Sequence, residues 1–105
     1  MSDRGIRILK FKPFPGNGVL KGFADVYIAA TRLKIFDCPA CASDGKRWVN
    51  LAGKPMIDRD GIALRDDRGK IRYAISAAFD DPSIQRRFSE AAVQALDEFA
   101  PGWDK

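Results

Sequence analysis

At 105 residues, 46% of them hydrophobic and 30% charged, the chain is long enough for one core and too short for two. That balance excludes wholesale disorder, and no apolar run nears the ~20 residues of a membrane helix. The net charge of +4 is unevenly spread: residues 1–57 hold ten Lys/Arg against four Asp/Glu, residues 58–105 eight against ten. A basic first half is the footprint of a face that attracts a polyanion, although lysine-rich edge strands also serve solubility. No signal peptide is read at the start and two cysteines make no disulfide framework, so the expected compartment is the cytoplasm.

In chain order, Met1–Gly5 is a short flexible lead and "IRILKFKPF" reads as a first strand. "PGNG" at 15–18 is a turn. In "VLKGFADVYIAA", 19–30, the even positions Leu20, Gly22, Ala24, Val26 and Ile28 form an apolar face, and Lys21, Phe23 and Tyr27 share the other. "LKIFDCPAC", 33–41, is a third strand whose continuity Pro39 limits; Lys34 and Phe36 share one of its faces. "SDGK" supplies hairpin chemistry, with Gly45 suited to a positive φ. "RWVNLA", 47–52, returns with Val49 and Leu51 inward and Trp48 on the opposite face. Residues 53–69 are polar and turn-rich, a long mobile loop or hairpin insert. "KIRYAISAAF", 70–79, reads as a further strand with Ile71, Tyr73, Ile75, Ala77 and Phe79 on one face.

A C-terminal helix over 81–100 follows, with Asp81 as its N-cap and Pro82 at the first helical position. Ile84, Phe88, Ala91, Ala92, Ala95 and Phe99 form its apolar stripe, Leu96 widens the margin, and Val93 points away. The expected fold is therefore α+β: an antiparallel sheet of four to five strands followed by one helix.

The absence of histidine removes serine–histidine and cysteine–histidine nucleophiles and most zinc hydrolase sites. Aspartate pairs at 58–60, 66–67 and 80–81 have plain roles in loop solvation and helix capping, so no catalytic or metal site is expected. "CPAC", Cys38 to Cys41, has the spacing of half a zinc site; two thiols serving as small apolar residues, one per strand face, is the simpler reading. What remains is basic and aromatic interleaving. Lys21, Phe23, Tyr27, Lys34, Phe36, Lys46, Arg47 and Trp48 offer cations for a backbone and flat rings for unpaired bases, at ~1–3 kcal/mol per stacked base. A homodimer interface recruits the same residue types.

The stretches "KGFADVYI", "LKIFDCPA" with Asp37, and "GKRWVNLAGKP" make residues 20–55 similar to the stage V sporulation protein G family, also called septation proteins. The resemblance implies a sheet with a C-terminal helix, a homodimer, and sequence-tolerant binding to DNA or RNA. It also places Lys54 at a basic position of the family's binding segment. Ala52, Gly53, Lys54 and Pro55 carry one cation fewer than that segment usually does, and the 56–69 insert and extended helix depart from the pattern. A curved sheet with one helix also resembles, in architecture alone, the single-strand-binding domain of the eukaryotic transcriptional positive cofactor family. The expected function is a module for single-stranded nucleic acid in transcriptional or post-transcriptional regulation, without cofactor or reaction. The alternative is a protein-interaction or self-association domain.

Overall fold

The computed structural model describes residues 5–16, 18–70, 72–75 and 77–105. Four strands, β1 (Ile6–Pro13), β2 (Leu20–Ile28), β3 (Leu33–Ser43) and β4 (Lys46–Val49), form one antiparallel sheet in chain order. A two-stranded ladder of β5 (Gly53–Pro55) and β6 (Tyr73–Ile75) and a single helix, α1 (Pro82–Phe99), complete the α+β fold. No helix among the described residues is long and apolar enough to cross a membrane.

Local chemistry explains the joints. Asp44 and Gly45 link β3 to β4 with φ of 52° and 80°, the two positive values that a tight two-residue hairpin demands. At the helix start, the Asp81 carboxylate accepts hydrogen bonds from the Ser83 backbone N–H and hydroxyl, both 2.8 Å, and Pro82 follows it. The Ser83 bonds hold the Asp81 carboxyl below its ordinary range. A carboxyl with a lowered folded-state pKa stabilises the fold above the ordinary range, and that support is lost as pH falls through the lowered value. Melting curves of wild type and Asp81→Ala, followed from neutral pH to about pH 2, should therefore converge at the acid end. A gap that stayed constant with pH would show that the charge of Asp81 plays no part.

The helix packs against both outer strands. Ser89 accepts a 2.9 Å hydrogen bond from the Val49 backbone N–H in β4. Phe88 and Ile84 line a groove with Ile6 of β1, and the Phe11 ring meets Trp103, just past the helix end, edge-on at 6.5 Å. One helix in contact with the first and last of four strands requires the sheet to curl around it. Small residues permit this: Gly22, Ala24, Cys38 and Ala40 are all buried on the two central strands. Three β-bulges, at Leu9, at Lys21 and at Phe36–Asp37, add the local twist.

The curl changes which helix residues are buried. Phe88, Ala92, Val93, Ala95 and Leu96 are inside, so Val93 faces the core instead of pointing away. Ile84 and Phe99, at the two ends of the expected stripe, are exposed because the trough reaches only the middle turns. Trp103, which the helical periodicity does not reach, is buried after the chain turns at Pro101–Gly102.

Of the strand expected over 70–79, the described residues form β6 at Tyr73–Ile75, which pairs with Gly53–Pro55 and not with the main sheet. Ile71 lies outside the described residues, as do Met1–Arg4 of the expected lead. The intervening segment carries backbone pairing of its own. Beyond the ladder, Met56 N–H donates to the Arg72 carbonyl, Leu64 N–H to that of Met56, and Arg72 N–H to that of Leu64. Each tip is tied by an aspartate: Asp58 accepts from the backbone of Asp60 and Ile62, and Asp66 from that of Arg68 and Lys70. The Lys70 and Arg68 N–H groups hold the Asp66 carboxyl below its ordinary range. Side chains that repeat one turn at two tips supply the order that composition alone does not show. Pro39 likewise fails to end β3; the strand runs on to Ser43, and its irregularity falls earlier, at the Phe36–Asp37 bulge.

Candidate nucleic-acid interface

With the helix on one side, the other face of the sheet is read from its register. Arg7, Tyr27 and Lys34 stand opposite one another across β1, β2 and β3. The Arg7 guanidinium lies 5.1 Å from the Tyr27 ring centroid, within cation–π range. Lys10 stands opposite Asp25, and Lys12, Phe23 and Pro39 form a third row. The Lys12 ammonium is 2.7 Å from Asp37, whose hydrogen bond and charge raise its pKa. Asp37 has φ of 58°, and its N–H donates to the Asp25 carboxylate at 3.0 Å. That bond ties the bulge down in the left-handed conformation that aspartate tolerates better than most residues. The exposed Lys12–Asp37 pair adds little stability, but it removes much of the Asp37 charge from this face.

The bulges reassign several expected residues. An inserted residue exchanges the faces of everything beyond it, because side chains alternate with a period of two. The bulge at Leu9 puts Arg7, Lys10 and Lys12 on one face, although their numbers differ in parity. Sequence reading missed all three cations for that reason. The basic alternation within "LKFK" was the available signal. The bulge at Lys21 sets Leu20 opposite Cys41, and Leu20 lines a cavity with Phe23 while Lys21 lines a groove with Ala42, Arg47 and Asp104. Lys21 therefore leaves the company of Phe23 and Tyr27. Phe36 sits within its bulge, 58% exposed, and does not share a regular row with Lys34.

Arg47 is a second correction, since it serves the helix and not the open face. Its guanidinium grips Asp97 through two bonds of 2.6 and 3.1 Å, reaches Asp104 at 3.5 Å, and lies over the Trp103 ring at 5.9 Å. Asp97 also accepts a 3.0 Å bond from the Trp103 indole N–H. The Asp97 hydrogen bond raises the Arg47 pKa further. Alternation along β4 places Val49 and Arg47 on the helix side, and Trp48, half-buried opposite Cys41, on the other. Lys46 is exposed at the strand start, opposite Ser43. Lys54 belongs to β5, opposite Ala74, and its side chain lies outside the described residues. The open face thus gathers Tyr27, Lys34, Phe23 and Trp48 with the unforeseen Arg7, Lys10 and Lys12.

Phe23 is steadied by the Phe14 ring, edge-on at 6.1 Å. Beside it lies a cavity of about 500 Å³ whose walls include Leu20, Pro39, Cys41, Leu51 and Ala78. The two free thiols fall on opposite faces. Cys38 is in the core, its pKa pushed up to about 11 by burial, and Cys41 is partly exposed with a pKa also raised by burial. Among the described residues no three His, Cys, Asp or Glu side chains come together to hold a metal ion. No protein-family model, curated protein or solved structure matches the chain.

Proposed function

We propose that this chain is a small binding module for single-stranded DNA or RNA, a cytoplasmic homodimer of the kind that serves transcriptional or post-transcriptional regulation. One observation carries the reading: Arg7, Lys10, Lys12 and Lys34 gather with Tyr27 on the sheet face that the helix leaves open. Four cations against Asp25 and Asp37 leave that face net positive, with one anion already engaged by Lys12. Cations neutralise phosphates and rings stack on bases, so recognition is sequence-tolerant and nothing is chemically transformed. Self-association alone is the second reading. It is favoured by a groove of about 760 Å³ that Ile6, Ile28, Phe79, Ile84 and Phe88 line between helix and sheet.

Anisotropy titration of a labelled single strand at two salt concentrations tests the proposal. The expected affinity falls with salt at a log–log slope of about −0.7 for each phosphate neutralised. A dimer by light scattering that binds no strand at low salt would favour self-association instead.

A further inference from the structure

We propose that the cavity beside Phe23 receives one nucleobase turned out of a bound strand. The inference rests on the nucleic-acid reading above and adds to it a pocket of defined chemistry. A volume of about 500 Å³ lies within the range of small-molecule sites, which are apolar with a few placed polar groups. Leu20, Phe23, Pro39 and Leu51 supply the apolar walls, and Asn50 and Gln85 add carboxamides. A carboxamide carries donor and acceptor side by side, as the edge of a base does.

Charge decides which part of a nucleotide enters. Among the described residues of the wall Asp37 is the one ionised side chain, and Lys12 offsets it from the open face. A phosphate would meet the Asp37 carboxylate there and no cation among the described lining residues, so it stays outside, along Arg7, Lys10 and Lys34. A neutral planar base meets apolar walls and amides. Phe23 belongs to both surfaces, in the same row as Lys12 and on the cavity wall. A strand following the cations therefore passes the opening.

Cys41 lines the cavity while Cys38 is buried in the core, so alkylation of Cys41 by N-ethylmaleimide reports occupancy. The full chain is saturated at low salt with a mixed-sequence oligonucleotide of about 12 residues, or with an abasic strand of the same length. The base-bearing strand is expected to slow alkylation about tenfold while the abasic strand leaves it near the unbound rate. An A78F variant, filling the cavity from its wall, should lose the protection and keep salt-dependent binding. If that variant does not fold, the comparison of the two strands on wild type decides alone. Binding without protection overturns the pocket, as does equal protection by the abasic strand. Failure of both strands to bind overturns the functional reading itself, and the pocket with it.

Discussion

Charge reversal of Arg7 and Lys34 together, combined with Tyr27→Ala, should nearly abolish oligonucleotide binding while leaving the fold intact. The three side chains form one row across three strands, and each is replaced on the face away from the core. Two lost phosphate contacts should reduce the log–log salt slope by about 1.4, at about 0.7 each for a single strand. Loss of one stacked base costs ~1–3 kcal/mol, a factor of roughly 5 to 150. The control is Arg86→Glu, an exposed charge on the helix side of the molecule. Its slope should stay close to wild type. Losses in proportion to the charge changed, two units in Arg86→Glu and four in the triple variant, would mean that net charge, and not this face, governs affinity. Circular dichroism should show unchanged melting, since Arg7 and Lys34 are exposed and Tyr27 lies outside the core.

The second large effect is on stability. Gly22→Ala should destabilise the chain by ~1–3 kcal/mol or more, measured by urea unfolding. A Cβ built on Gly22 would stand 2.6 Å from the Lys12 carbonyl oxygen and closer still to the Phe11 ring. Neither neighbour can retreat easily. The carbonyl belongs to the adjacent strand, and the ring is held edge-on against Trp103. Phe11→Leu introduced with Gly22→Ala should recover part of the loss, because it relieves the ring contact and leaves the carbonyl contact in place. Full recovery would show that the backbone approach is harmless. A Gly22→Ala variant as stable as wild type would contradict the packing of β1 on β2 described here.

The fold was largely legible in the sequence. The Asp44–Gly45 turn, the Asp81–Pro82 helix start and the buried alternation of Gly22, Ala24 and Val26 follow from local chemistry alone. The composition of the open sheet face was less legible, for one physical reason. Patterning assumes an unbroken period, and single inserted residues at Leu9, Lys21 and Phe36–Asp37 break it. Arg7 thereby gains Lys10 and Lys12 as neighbours, and Lys21 is carried away from Phe23. Arg47 was misread differently. Its partners, Asp97 and Asp104, are some fifty residues downstream, and no local pattern announces a pairing at that distance.

Phe11 resting on Trp103 has a consequence for assembly of the chain. The Phe11 ring meets its aromatic partner only beyond the helix, so that contact forms once the first strand and the segment after the helix have met. Closing so large a loop is entropically slow, and topologies of this kind reach the native state late. Until the tail arrives, a nascent or truncated chain leaves the aromatic end of β1 uncovered and open to errant association.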